Sequence, residues 1–472
     1  MLVHQGFRFE LDPNNATRSA LSSHCGASRY AFNWGLRLVN DQLESTRKLT
    51  VLALRQGAGV EEATTWARLV TGPVPFSLPA QRRAWNATKY EVAPWWAENS
   101  KEAYSSGFDG LARALGNWSK GRRGHRAGHT GFPTLKKKGH PRSCRFTTGS
   151  IAVVDDRHVK LPRIGPVRTK EQATKLRELL DDGRARICSA TISEKAGRWF
   201  VSFTCKVERQ DAHGRLAEVV VGVDLGVKHL AVLSTGEVVE NPKAFGRYAR
   251  RMARLSRELS RRELGSKRRR RTKAKLARCH AKVANTRWDA THKVTRGLVS
   301  SYGTVVIEDL NVAGMTAAPR PKPDHAGGHG QNGRRRKAGL NRAILDASFG
   351  EVRRQLVYKL AWHGGCLIVA DRFFASSKLC SSCGAVKAKL RLDERTYSCE
   401  HCGLVIDRDL NAARSLAAYG RRALSVAGSG PETRNARGGA HRRLLSDAPV
   451  KREDGTVEPD KTVTAPSQGE AA

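Results

Sequence analysis

Two cysteine pairs, Cys380-Ser-Ser-Cys383 and, fifteen residues on, Cys399-Glu-His-Cys402, have the spacing of a tetrahedral four-thiolate zinc site. Gly384 and Gly403 follow the second cysteine of each pair, as a tight turn requires. With all four ligands supplied by cysteine no coordination position is open, so the zinc would be structural. A module this small would also depend on the metal to fold. Three separated acids suggest a second chemistry. Asp224 closes the apolar run Val219-Val-Val-Gly-Val223, Glu308 closes Thr304-Val-Val-Ile307, and Asp409 stands just before Asn411-Ala-Ala, a helix start. Carboxylate oxygens are the hard ligands that magnesium prefers. Two such ions roughly 3.5–4 Å apart activate water and stabilise the leaving oxygen in phosphodiester hydrolysis. Taken singly, Asp224 before Leu-Gly also reads as a turn residue and Asp409 as a helix N-cap, and spacing alone does not bring the three together.

The elements that must position these groups follow from periodicity. Residues 2–11 alternate and end at Asp12-Pro13, a strand and turn. Apolar residues then recur at helical spacing from about Thr17 to Leu43. Residues 80–118 carry a second helical pattern with Trp85, Trp95, Trp96 and Trp118, whose aromatics fit a core better than a ligand platform. A Gly-, Arg-, Lys- and His-rich loop over 119–143 precedes short strands across 144–207: CRFTTGSIAVV, HVKLP, ARICSATISEK and RWFVSFTCKV. Evenly spaced strands of this kind make a small barrel or an open sheet. From Lys243 to Lys282 there are seventeen Lys/Arg against two acids, with apolar residues on one helical face either side of Gly265-Ser266. That is a helical hairpin whose unbalanced charge suits phosphate contacts. Residues 316–339 read as a low-complexity insertion, Ile344–His363 as a helix, Cys366–Asp371 as a strand, and the chain beyond about 421 as disordered.

The whole chain of 472 residues carries 84 Lys+Arg against 44 Asp+Glu, a formal charge of +40. Such an excess calls for a polyanion, and nucleic acid bound through counterion release is the natural one. No apolar run of membrane-spanning length and no secretory signal is expected. The six cysteines outside the quartet read as lone core residues of a reducing, intracellular compartment.

Taken together, Gly222-Val-Asp224-Leu-Gly-Val-Lys228, Val306-Ile-Glu308-Asp-Leu-Asn311, Ser376-Ser-Lys-Leu-Cys380-Ser-Ser-Cys383-Gly and Cys399-x-x-Cys402-Gly through Asp407-Arg-Asp409-Leu-Asn411-Ala-Ala resemble the TnpB family. These are insertion-sequence-associated relatives of type V CRISPR effectors. Tyr30-Ala-Phe-Asn33-Trp, Gly131-Phe-Pro-Thr-Leu-Lys-Lys-Lys138 and Arg145-Phe-Thr through Leu161-Pro-x-Ile-Gly165 extend the likeness over about residues 2–440. The resemblance implies a mixed α/β multidomain fold. A wedge β-barrel (1–15 and 130–215) would hold a helical recognition insertion (16–129). A RuvC-like nuclease domain of RNase H fold (216–375, with the basic hairpin at 243–300, and 405–420) would be interrupted by a zinc ribbon (376–404), and 421–472 would form a disordered tail.

The activity implied is RNA-guided cutting of both strands of target DNA, with a guide RNA drawn from the end of the protein's own element and double-stranded DNA as second partner. Carried over residue by residue, Asp224, Glu308 and Asp409 would hold magnesium, and Cys380, Cys383, Cys399 and Cys402 zinc. Asp407, two residues away, is the neighbour to be tested against Asp409. The chain departs from the common pattern in its insertion around 318–339 and in its tail after about 445. No acid of the trio is missing, which argues against the nuclease-dead, repressor-like descendants. A transposase or recombinase acting on element ends, a regulator without catalysis and a basic nucleoid or ribosome-associated protein are the alternatives. The implied setting is the bacterial cytoplasm, at the nucleoid.

Overall fold

A computed structural model describes residues 1–428 apart from 126–127, 129, 139–141, 210–218, 324–327, 331 and 392. The chain divides into two compact units: Met1–Asp211 with Arg250–Lys282, and Ala212–Ala249 with Val283–Ala472.

The first unit opens with β1 (Leu2–Leu11) and α1 (Asn15–Arg55). Asn14 caps α1, its side chain accepting from the Thr17 amide at 2.8 Å. This helix runs well past Leu43, since nothing between there and Gly57 (φ +90°) breaks it. Next come α2 (Val60–Thr71), α3 (Leu78–Val92), a 3₁₀ turn (Pro94–Glu98) and α4 (Lys101–Arg122). The single helical pattern over 80–118 is thus two helices, separated where Pro94 interrupts and Ser100 caps the second. Trp85 is buried, stacked on Tyr104 (centroids 5.0 Å apart) and edge-on to Trp34 (5.3 Å), so aromatic packing holds this unit's helices together.

Its strands are β2 (Ser143–Phe146), β3 (Ala152–Val153), β4 (His158–Leu161), β5 (Gly165–Arg168), β6 (Ala185–Lys195) and β7 (Arg198–Glu208), with α5 (Thr174–Asp181) before β6. They form a four-stranded antiparallel sheet ordered β1-β7-β6-β2 and a three-stranded sheet ordered β3-β4-β5, linked by a bridge between Leu11 and Thr169. The run 144–154 is therefore two strands in two sheets, parted at Gly149 (φ +88°).

In the second unit β8 (Val220–Asp224), β9 (His229–Leu233) and β10 (Val238–Glu240) are followed by the hairpin helices α6 (Ala244–Arg261) and α7 (Lys267–Ser301), whose tip groups with the first unit. Gly265 takes φ +86° in the turn between them. Glu258, one of the two acids in the basic run, accepts from Arg262 and from the Thr272 hydroxyl (3.0 Å) and so locks the turn. Then come β11 (Thr304–Glu308), α8 (Val312–Met315), the short pair β12 (Lys322–Pro323) and β13 (His329–Gly330), α9 (Arg334–Ala347), α10 (Phe349–Trp362), β14 (Cys366–Ala370), β15 (Thr396–Ser398), β16 (Val405–Asp407) and α11 (Arg408–Gly428).

Three sequence expectations need correction here. Residues 334–339 open α9 rather than continuing the insertion, and the helix expected over Ile344–His363 is α9 and α10, broken at Ser348 (φ +57°). The tail read as disordered from 421 begins with eight residues of α11; the rest lies outside the described residues.

The five-stranded sheet runs β10-β9-β8-β11-β14. Strands β10, β9 and β8 pair antiparallel, while β8–β11 and β11–β14 pair parallel. Strand alternation sends Val221, Val223, Val305 and Ile307 to one face, against Leu298 and Val299 of α7 and Val352, Leu356 and Leu360 of α10. The opposite face packs Val306, Ala370 and Val220 against Leu416 and Tyr419 of α11. Among the described residues, no helix is long and apolar enough to cross a membrane.

Candidate metal centres

The sheet's register brings the first two acids side by side. Val223 pairs with Ile307 across β8 and β11, so Asp224 and Glu308, one residue further on, stand at the carboxyl ends of adjacent parallel strands. Adjacent strands lie about 4.8 Å apart. By alternation both side chains share the face of Val220, Gly222 and Val306, the face that α11 covers.

Gly222 explains how closely α11 lies. A Cβ placed there would fall 2.0 Å from the Ala413 carbonyl oxygen and 2.5 Å from the Ala417 amide nitrogen. At the other end, a Cβ on Gly420 would meet Val306 Cγ2 at 2.4 Å and Val220 Cγ1 at 3.2 Å. The helix thus runs antiparallel to β8, from Gly420 over Val220, through Ala413–Ala417 over Gly222, toward its first turn at the carboxyl end. That turn carries Asp409.

Asp407, the rival to Asp409, has a different role. It ends β16, and its Oδ1 accepts from the Asp409 and Leu410 amides at 2.9 and 3.0 Å, capping α11. The cap that sequence allowed for Asp409 belongs to its neighbour. Asp409 instead pairs with Arg408 at 3.4 Å.

Electrostatics record the gathering. The Asp224 carboxyl is pushed up to about 8, first by burial and then by the negative charges of Glu308 and Asp409, with Arg408 opposing. Burial also raises Glu308, partly offset by the Ser376 hydroxyl, which donates to its Oε1. Adjacent Asp309 is held below the usual carboxylate range by Arg353 (2.6 Å) and Arg372 (2.8 Å). A set of hard oxygens that is costly to ionise together is what a divalent cation relieves.

The cysteines gather more tightly. The sulfurs of Cys380, Cys383, Cys399 and Cys402 lie within 4.8 Å of one another, the only such group of three or more metal-ligating side chains among the described residues. Cys380 and Cys402 are 3.6 Å apart at sulfur, as are Cys383 and Cys399. A tetrahedron with Zn–S near 2.3 Å has edges of about 3.8 Å, so the four thiols fit zinc. Both knuckles turn at a glycine of positive φ, Gly384 (+77°) and Gly403 (+71°), whose amides donate back to Cys380 and Cys399. Tyr397, Leu390, Leu404 and Ile406 supply a small core beneath them.

Three contributors were not legible as functional residues. Ser376 and Asn411 lie within readable motifs, but no local signal reveals their partners. Asp346 is 7% exposed; it accepts from the Phe245 amide (2.8 Å) and Arg287 (2.6 Å), fixing the start of α6, and a lone acid inside a helical pattern gives no hint of that.

The site and sheet define a mixed α/β protein that gathers carboxylates at parallel strand ends beside a four-cysteine metal knuckle. Family models match in three places: "Probable transposase" over residues 202–318, "Cas12f1-like, TNB domain" over 349–416, and "Helix-turn-helix domain" over 1–48. Residues 1–48 fold here as β1 and most of α1, a strand and one continuous helix. The chain is 37% identical over 432 residues to a Mycobacterium tuberculosis (strain CDC 1551 / Oshkosh) protein named "Putative RNA-guided DNA endonuclease MT2953", covering 88% of this chain and 86% of that one. It is 29% identical to "Putative RNA-guided DNA endonuclease InsQ" of Escherichia coli (strain K12), covering 89% of this chain and 93% of that one. A Cas12f1–sgRNA–target DNA complex aligns with a TM-score of 0.46 at 12% identity, covering 88% of this chain and 99% of that one. The chain belongs to the TnpB family.

Proposed function

We propose that this protein is an RNA-guided DNA endonuclease that hydrolyses phosphodiester bonds at Asp224, Glu308 and Asp409. The observation carrying this reading is geometric: Asp224 and Glu308 end adjacent parallel strands on the face that α11 covers, and Asp409 lies in that helix's first turn. Burial first, then the charges of Glu308 and Asp409, push Asp224 up to about 8. The sheet order and directions support an RNase H-like, RuvC-type core, which we assign to residues 216–375 and 405–420. The two sheets of the first unit support a wedge-type barrel with the helices of 16–129 inserted.

Asp224, Glu308 and Asp409 would hold magnesium, and the cysteine quartet would hold zinc. Magnesium held there would contribute activation of water at neutral pH and relief of charge on the leaving oxygen. The chain's own contribution is to aim the acids. Parallel register sets Asp224 beside Glu308, α11 brings Asp409 across them, and the Asp407 cap fixes that helix's first turn. Sequence selection would rest with a guide RNA from the element end, paired to target DNA, while the +40 chain binds phosphates. The decisive test is to purify the protein from its native locus, sequence the bound RNA, and assay magnesium-dependent cleavage of matched double-stranded DNA. One abundant RNA from the gene's end with guided cutting supports the reading; strand transfer of element ends without guide would replace it.

A further inference from the structure

We propose that the cysteine knuckle positions two of the three carboxylates, Asp409 through Asn411 and Glu308 through Ser376, so that zinc occupancy governs the geometry of the magnesium site. This rests on the nuclease reading for its consequence, though not for its geometry.

Asn411 is fully buried, and both ends of its amide are engaged by the knuckle. Its Nδ2 donates to the Leu379 carbonyl at 2.7 Å, and its Oδ1 accepts from the Ser381 amide at 2.9 Å. Those two backbone groups flank the zinc-ligating Cys380. One turn further along α11, the Ser415 hydroxyl donates to the same Leu379 carbonyl at 3.2 Å. A ligand-bearing turn is thereby fixed to the helix two residues past Asp409. Only an amide supplies donor and acceptor at once here; a carboxylate would set a second acceptor against the Leu379 oxygen.

The second link runs the other way. Ser376 is 3% exposed, and its hydroxyl donates to Glu308. A tight turn joins it to the knuckle, with the Lys378 and Leu379 amides both donating to the Ala375 carbonyl at 2.9 Å. The knuckle therefore reaches Asp409 on one side and Glu308 on the other. Asp224 has no such bond to the knuckle, being set by the register of β8 against β11 and β9. Loss of zinc should thus disturb two acids and spare the third, a pattern that general unfolding would not produce.

The experiment uses the full chain with its guide RNA and compares Asn411→Ala, Ser376→Ala and Ser376→Thr. Readouts are zinc content, hydrogen exchange of residues 405–412, Mn²⁺ binding by electron paramagnetic resonance without DNA, and the magnesium dependence of cleavage. Asn411→Ala should retain zinc, speed exchange over 405–412 at least tenfold, and raise the half-saturating Mn²⁺ and Mg²⁺ concentrations at least tenfold. Ser376→Ala should raise the ion requirement without altering that exchange, and Ser376→Thr should restore it. Wild-type exchange and ion dependence in both Asn411→Ala and Ser376→Ala would overturn the coupling. If Asn411→Ala fails to fold, Ser376→Ala against Ser376→Thr decides alone: equal ion requirements in the two overturn the proposal. Cleavage by an Asp224→Asn control would sink the nuclease reading instead, leaving the exchange and Mn²⁺ results to judge the coupling.

Discussion

Gly222→Ala is the sharpest probe of how the acids are assembled. The added methyl would lie 2.0 Å from a backbone oxygen and 2.5 Å from a backbone nitrogen of α11, and neither can rotate away. Side-chain carbons essentially never come within about 3 Å of such atoms, so helix and strand must part by roughly 1 Å. Overpacking of this kind costs about 1–3 kcal/mol, and a clash with backbone on two sides belongs at the upper end. For a unit of this size that is a fall in melting temperature of about 6–12 °C. The same displacement moves Asp409 relative to Asp224, and a 1 Å error in a reacting constellation costs about 100-fold in rate. Melting and guided-cleavage assays read both effects. Gly297→Ala is the control: its Cβ meets nothing within 4 Å at an exposed position of α7, so it should stabilise the helix by up to about 1 kcal/mol. A Gly222→Ala protein with wild-type melting and cleavage would refute the argument that close approach at this glycine sets the site.

Asp224→Asn should abolish cleavage while guide and target binding, measured by gel shift, stay within about twofold, because phosphate contacts rather than this carboxylate supply affinity. Cys380→Ser with Cys383→Ser should lose zinc and lower folded yield, read by metal analysis and soluble expression. An equally stable zinc-free protein would count against a structural metal. A pH effect follows from Asp224, whose carboxyl rises from about 3.9 in the unfolded chain to about 8 in the fold. The folded state holds that proton more tightly, so the contribution to stability is complete below pH 4 and lost as pH rises through 8. Melting without divalent ions should therefore fall between pH 5 and 8. Magnesium should restore more stability at pH 8 than at pH 6, because binding must displace the proton.

Legibility followed how local each cause was. The cysteine quartet is four residues on two short turns, and spacing alone picked it out. Asp224 and Glu308 stood out because each closes an apolar strand, and a strand end is readable over five residues. Their adjacency was not readable, since register between β8 and β11 depends on packing across the long α6–α7 hairpin. Asp407 against Asp409 was undecidable from spacing, because the answer lay in which carboxylate meets the free amides of α11. The Ser348 break and the Arg353 and Arg372 pairing on Asp309 have no sequence signal, each depending on partners brought close only by the fold.

The arrangement of α11 over β8 also has a consequence for biosynthesis. Asp224 and Asp409 are separated by 409 − 224 = 185 residues, and the later acid rides on the last described helix. At about 5–20 residues per second, the ribosome needs on the order of 10–40 seconds to travel from one to the other. For the larger part of that interval, once residue 282 has been made, the growing chain carries the basic hairpin of 243–282 while the sheet edge still lacks the helix that brings Asp409. On the function proposed above, possession of a nucleic acid would thus precede the capacity to cleave one, and a prematurely terminated product would be a binder without a blade.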